Sequence, residues 1–292
     1  MREGINVLSL FDGMSCGQIA LERAGIKVKN YFASEIKKYA IKVTQANYPN
    51  TIQVGDVTKI DISILPKIDL LIGGSPCQDF SVARTIGSKS ITGLDGDKSS
   101  LFYEYLKLLK LLNPKYFLLE NVRMKKESKL ELDNFLGVVG TRINSSLVSF
   151  QRRDRYYWTN IPFEELIDKN ISFQDYKDNE HEYCKKFKLK RTKSREYMWS
   201  EGRGRNGGGT GCSNITHSEK IYCLTKKQDR APNSGLIEFE DFCRYLTTRE
   251  LEQAQTVPIN YTKSVSFRQA EDLLGDGWTV DVIAHIFKNI DI

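Results

Sequence analysis

The chain has 292 residues, 40% of them hydrophobic and 27% charged. That composition excludes a disordered segment and a small disulfide-stapled domain, and it leaves room for a full core. A formal net charge of +6 permits a polyanionic partner such as nucleic acid without requiring one.

Val7-Leu8-Ser9-Leu10-Phe11 predicts a buried strand, Asp12 to Gly17 a glycine-bearing turn, and Gln18 to Arg23 a helix stopped at Ala24-Gly25. Val28 to Ala33 reads as a second strand ending at Ser34-Glu35, and Lys37 to Asn47 as a helix. Ile52-Gln53-Val54 is a short third strand leading into Gly55-Asp56-Val57. Asp69 to Ile72 forms a fourth, running into Gly73-Gly74-Ser75-Pro76-Cys77. Ser100 to Leu112 has helical periodicity, and Tyr116 to Leu119 is a fifth strand ending at Glu120. The alternation predicts a parallel α/β sheet. Candidate functional residues fall at the carboxyl ends of its strands, where open sheets bind ligands.

From about Phe163 the pattern changes, so a first domain is expected over 1–162 and a smaller second one over 163–243, with 244–292 returning to the first. The second domain carries a basic segment with Lys185, Lys186, Lys188, Lys190, Arg191 and Lys193, followed by the glycine-rich run Gly202 to Gly209. Charges of this density suit either a solvated face or phosphate contact. Helices are predicted over Thr248 to Gln255 and Trp278 to Phe287. No run of about 18 apolar residues occurs and Met1-Arg2-Glu3-Gly4 lacks a signal-peptide stretch, so a cytoplasmic location without membrane contact is expected. The six cysteines include no C-x-x-C pair and the three histidines are scattered, so no metal site is expected, and free thiols are.

The turn after the first strand lets a ligand approach the backbone and a helix N-terminus. Glu35, 22 residues beyond Gly13, is placed to take both hydroxyls of a ribose, and Asp56 to accept from an adenine amino group. The turn lacks G-x-G-x-x-G spacing and a basic residue for pyrophosphate. A nucleoside without phosphate fits better than a dinucleotide, and S-adenosyl-L-methionine is the cofactor expected. Cys77 ends a strand in a sharp turn, where a thiol can act as a nucleophile. Glu120-Asn121-Val122 ends a neighbouring strand, so thiol and carboxyl can share a pocket. Gln151, Arg153 and Arg155 would share one face of a strand leading into Tyr156-Tyr157-Trp158.

These pieces together resemble a DNA cytosine C5-methyltransferase, in family order along the full length. Phe11 to Gly17 resembles the family's first cofactor motif, Gly74 to Ser81 its nucleophile motif, and Glu120-Asn121-Val122 its glutamate motif. Gln151 to Arg155 resembles the Gln-Arg-Arg-x-Arg type motif, Arg249 to Pro258 the motif that buttresses the recognition domain, and Leu274 to Val280 the last motif. The closing motifs are similar to those of compact phage and bacterial enzymes and the de novo animal type. Asp276 and Ala254 depart from the usual asparagine and bulkier residue.

The resemblance implies a Rossmann-like S-adenosylmethionine-dependent methyltransferase sheet with a small target-recognition domain, 163–243, reading a short site. It implies cofactor contacts from Phe11, Asp12, Gly13, Ser15, Gly17, Glu35, Ile36, Asp56, Val57, Pro76, Leu101, Trp278 and Thr279. Catalysis is assigned to Cys77, which adds to cytosine C6, and to Glu120, expected to be held protonated to serve N3. Arg155 would hold O2 and the nearby carboxyl, with Arg153 helping to position the base or nucleophile. Double-stranded DNA is the expected partner, contacted by Gln78, Ser81, Arg84, Arg203, Arg205 and Arg230. The target nucleotide would be flipped out under a lid formed by 79–99. A monomer is expected, with a cognate restriction endonuclease as a candidate partner. Two other readings stay open: a tRNA cytosine-5 methyltransferase, although no Cys-Phe-Thr tripeptide occurs, and a catalytically inactive DNA-binding relative.

Overall fold

The computed structural model describes residues 4–75, 100–189, 214–228, 234–239 and 242–291, and the chain packs as two compact units. The first unit comprises Met1–Asn144, Asp154–Glu165 and Ile283–Ile292. Its elements are β1 (Ile5–Leu10), α1 (Cys16–Arg23), β2 (Val28–Ser34), α2 (Lys38–Asn47), β3 (Ile52–Gln53) and β4 (Leu70–Gly74). They continue with α3 (Ser100–Leu112), β5 (Tyr116–Val122), α4 (Lys126–Leu136), β6 (Thr141–Asn144) and β7 (Asp154–Thr159). The seven strands form one sheet in the order β3-β2-β1-β4-β5-β7-β6. This is the large, mainly parallel sheet that the methyltransferase resemblance implied.

β1 lies between β2 and β4, parallel to both, so the strand order reverses beside it. That reversal opens the crevice in which sheets of this kind hold ligands. Val7, Leu8 and Leu10 are fully buried, because a covered parallel strand reads as a continuous apolar run rather than an alternation. Leu8, Leu10, Leu71, Phe102, Tyr105, Leu119 and Trp158 belong to one core cluster. Helix α1 packs close: a Cβ on Gly17 would lie 2.5 Å from Ile72 Cδ1 and 2.7 Å from the Tyr31 hydroxyl, so a larger residue there would have to displace those side chains.

The sheet departs from the all-parallel expectation at one side, where β7 runs antiparallel to both β5 and β6. The connection Ser145–Arg153 is too short for the crossover that a parallel neighbour needs. Helix α4 was not anticipated because its buried face holds only Leu132 and Leu136. It ends at Gly137 with φ 68°, a left-handed cap that glycine supplies without steric cost.

The second unit comprises Ser145–Arg153 and Leu166–Val282. It holds α5 (His181–Lys185) and the strands β8 (Lys188–Leu189), β9 (Ile237–Phe239) and β10 (Phe242–Arg244), antiparallel in the order β8-β10-β9. Helices α6 (Thr248–Ala254) and α7 (Phe267–Asp276) follow, and α8 (Val280–Phe287) begins in this unit and ends in the first. By packing, this unit takes more than 163–243: it adds 145–153 and 244–282. Gln151 shows why. It is fully buried, its amide donates to Ala254 O and Gln255 Oε1 at 3.1 Å each, and its Oε1 accepts from Leu224 N at 2.8 Å.

The segment Arg249 to Pro258 supplies that unit's polar core. Arg244 and Glu250, both fully buried, form a two-pronged ion pair at 2.7 and 2.9 Å. Glu250 also accepts from Thr247 N and Asp178 N. Glu252 accepts from Asn260 N, Thr262 N and the Thr262 hydroxyl, while burial pushes its carboxyl above the usual range. A buried carboxylate is tolerable only when so fully bonded. Cys16, Cys184, Cys223 and Cys243 carry free thiols. Among the described residues no helix is long and apolar enough to cross a membrane, and no cluster of potential metal ligands occurs.

Candidate active site

Strand register brings the expected residues to one sheet edge. Leu10 pairs with Ser34 and Gly73, and Gly74 pairs with Glu120, so the segments beginning at Phe11, Glu35 and Ser75 leave the sheet side by side, next to Glu120 on β5. The β1–α1 turn takes left-handed φ at Phe11 (56°), Gly13 (60°) and Ser15 (60°). Such positions cost about 1–3 kcal/mol each for non-glycine residues and persist only where surroundings fix them. Here Asp12 N donates to Ser34 O at 3.1 Å and Ser15 N to Asp12 O at 3.1 Å.

Glu35 reaches back over this turn. Its Oε2 accepts from Gly13 N at 2.8 Å, and its Oε1 from Ile36 N at 2.7 Å and Lys37 N at 2.8 Å. Oε2 keeps lone-pair capacity for a hydroxyl donor. Beside it Ile36 is 71% exposed, an apolar surface such as an aromatic ring covers. Asp56 caps a 3₁₀ turn, accepting from Thr58 N at 3.0 Å and Thr58 Oγ1 at 2.9 Å. Those bonds hold its carboxyl below the usual range. Val57 is buried and Leu101 packs partly buried against the core. Asp12 turns inward: burial raises its carboxyl above the usual range, and Glu35 adds to that, while the hydroxyls of Ser15, Ser9 and Tyr31 oppose it.

The side of the edge that carries Glu120 and Arg155 rests on β5 and β7. Glu120 pairs in register with Tyr157, and Val122 with Arg155. Arg155 Nε lies 3.0 Å from Glu120 Oε1, with the two side chains 13% and 9% exposed. Asn121, unforeseen from the sequence, donates from Nδ2 to Ser75 Oγ at 2.9 Å, both residues being buried. That bond ties the start of the Pro76-Cys77 segment to the strand carrying Glu120. Pro76, Cys77, Gln78, Ser81, Arg84, Arg203, Arg205, Arg230 and the expected lid 79–99 lie outside the described residues.

Arg153 does not share a strand with Arg155, since β7 begins at Asp154. Its guanidinium donates to the carbonyls of Leu224, Gly275 and Asp276 at 3.2–3.4 Å within the second unit. Thr279, also in that unit, is buried and donates to Gln255 Oε1 at 2.9 Å, and Trp278 is half-buried. Beyond β5, Arg123, Lys125 and Lys126 are exposed, whereas Lys129 and Arg142 pair with Asp133 and Asp154.

Residues 5–141 match the family described as C-5 cytosine-specific DNA methylase. The orphan methyltransferase M.Rho11sI of Bacillus phage rho11s is 37% identical over 179 residues, 57% of this chain and 34% of that protein. The type II methyltransferase M1.ScrFI of Lactococcus lactis is 42% identical over 120 residues, 41% of this chain and 29% of that protein. The chain thus spans about a third of the length of the curated relatives it matches. Among solved structures, the Dnmt2 methyltransferase of S. pombe superposes with a TM-score of 0.71 at 19% identity, covering 97% of both chains. A prophage-encoded putative DNA modification methyltransferase from E. coli gives 0.61 at 20% identity, covering 98% of both. The fold is therefore that of these methyltransferases, and residues 5–141 of the chain match the C-5 cytosine-specific DNA methylase family.

Proposed function

We propose that the protein transfers a methyl group from S-adenosyl-L-methionine to C5 of a flipped-out cytosine in a short duplex DNA site. The Glu120–Arg155 pair carries this reading, because it sits at the sheet edge in register with the strand that leads into Ser75-Pro76-Cys77. The cofactor fits the residues present: a carboxylate for a ribose diol at Glu35, an exposed apolar side chain at Ile36, and no basic residue in the turn Phe11–Gly17 to ask for a phosphate. When bound, the cofactor supplies an electrophilic methyl group on a sulfonium. Phe11, Asp12, Gly13, Ser15, Gly17, Val57, Asp56, Pro76, Leu101, Trp278 and Thr279 complete the proposed contact set.

Cytosine C5 is a poor nucleophile, since attack sacrifices aromaticity. The Cys77 thiolate adds to C6, and the C5–C6 π electrons move onto C5, which can then accept the methyl group. Glu120 serves N3 with a proton as negative charge builds on the ring, and Arg155 holds the Glu120 carboxyl in place and reaches O2. The C5 proton then leaves to a base, the electrons re-form the double bond, and the thiolate is expelled. Arg153 anchors the segment that delivers Arg155.

Exposed cations at Arg123, Lys125, Lys126, Lys185, Lys186 and Lys188 support a polyanionic partner. Replacing Lys185, Lys186, Lys188, Lys190, Arg191 and Lys193 by glutamine is expected to lower the slope of log K against log salt by about 0.9 per lost phosphate contact, for all sequences alike. Replacing Arg203, Arg205 or Arg230 singly is expected instead to relax specificity at individual base pairs. Salt titrations beside bisulfite profiles separate the two roles.

Glu35→Ala is expected to weaken S-adenosylhomocysteine binding by roughly 1–3 kcal/mol, the scale of leaving hydroxyls without a charged acceptor. Calorimetry reads this directly, and unchanged affinity removes Glu35 from the pocket. Bisulfite sequencing of host DNA after expression tests the function as a whole: one methylated motif supports it. Methylation of transfer RNA with untouched DNA assigns the alternative substrate.

A further inference from the structure

Beneath the β1–α1 turn lies a hydrogen-bonded set of side chains that joins two of the proposed cofactor contacts, Asp12 and Ser15, to buried residues of the first unit. Asp12 Oδ1 accepts from the Tyr31 hydroxyl at 2.8 Å, and its Oδ2 accepts from Ser15 Oγ. Ser15 Oγ in turn accepts from Thr44 Oγ1 at 3.1 Å, and the Ser9 hydroxyl also bonds to Asp12. Ser9, Ser15, Tyr31 and Thr44 are all buried. The hydrogen bonds of Tyr31, Ser15 and Thr44 run toward Asp12, so the ionised carboxylate is the form that satisfies them. The left-handed backbone at Ser15 and the close approach of Gly17 to the Tyr31 hydroxyl seat the turn against this network.

Glu35 is the charged group facing Asp12 among the described residues, and its situation differs. Three backbone N–H groups donate to its carboxylate, which offsets much of its charge. Asp12 has hydroxyls in their place. Its carboxylate is held in position by these hydroxyls, burial works against its charge, and the turn Phe11–Gly17 holds no cation.

We propose that Tyr31, Ser15 and Thr44 are positioning residues that hold Asp12 as a fixed anion at the cofactor turn, and that this anion makes the site favour the sulfonium methyl donor over its thioether product. The inference rests on the proposed reading of the turn as an S-adenosylmethionine site. Donor and product differ by one positive charge, and a fixed carboxylate in a poorly screened site distinguishes them. Methyl transfer removes that charge, so the product leaves a site that no longer attracts it.

The test is a calorimetric titration of the full chain with S-adenosylmethionine and S-adenosylhomocysteine over the pH range in which the chain stays folded. For the wild type, the ratio of donor to product affinity is expected to fall by about tenfold as pH drops through the Asp12 titration, the amount one pKa unit of linkage represents. Tyr31→Phe removes a donor that stabilises the anion, so the fall is expected at higher pH, with product affinity nearly unchanged. Asp12→Asn is expected to give a flat ratio at the acid-limb value. Two results would overturn the inference alone: a ratio independent of pH in the wild type, or a Tyr31→Phe protein that binds both compounds more weakly by the same factor at every pH. Binding of neither compound to the wild type would overturn both the inference and the cofactor reading beneath it.

Discussion

Cys77→Ser is expected to abolish methyl transfer almost completely while leaving DNA binding in place. A serine hydroxyl stays protonated under conditions where a cysteine thiol ionises, and addition at C6 needs the anion. The loss should therefore fall on the chemical step, with kcat reduced and the affinity for duplex DNA little changed in a gel-shift titration. A second readout isolates the covalent bond. DNA carrying 5-fluorocytosine at the target position cannot lose a proton from C5 after methylation, so the wild-type protein should remain attached through a denaturing gel. Cys77→Ser should leave no such band. Equal trapping by both proteins would move the nucleophile elsewhere.

The fold was legible in the chain wherever burial was continuous. Strands β1, β4 and β5 are largely apolar and β2 carries the apolar run Tyr31-Phe32-Ala33, and the glycine or acidic residues near their ends marked both the strands and the edge at which they end. Elements held by polar partners were harder to read. Helix α4 buries only two leucines. Strand β7 gains its direction from a short connection rather than from its own residues. The second unit's core depends on Arg244, Gln151, Glu250, Glu252 and Gln255, residue types that ordinarily lie in water, so its extent beyond 163–243 could not come from hydrophobic pattern. The site shows the same division. Glu35 and Glu120 stand out because each follows an apolar run, whereas Asn121 and Tyr31 carry no signal until register brings Asn121 to Ser75 and Tyr31 to Asp12. Arg153 was expected beside Arg155 because alternation along a strand places them together, but the strand starts one residue too late.

Breaking the Glu120–Arg155 pair should cost both stability and activity, and the two losses can be told apart. Each side chain is nearly buried and the pair is 3.0 Å apart. Arg155→Met leaves a carboxylate in a poorly solvated place without its partner, which typically costs about 3–5 kcal/mol for a buried pair. Glu120→Gln keeps the shape and removes the charge, stranding the guanidinium instead. The double variant strands neither, so it should recover a good part of the stability lost by the singles in a denaturant titration; additive losses would mean that the two groups do not interact. Activity should behave otherwise. Glu120→Gln removes the group that serves N3, a general-acid contribution of about 10²–10⁴-fold, and Arg155→Met removes the residue that orients it. The double variant should be no more active than Glu120→Gln alone, because Arg155 acts largely through the carboxyl. Recovery of stability without recovery of turnover is the expected signature of a pair whose charges serve the reaction and whose burial is offset only by each other.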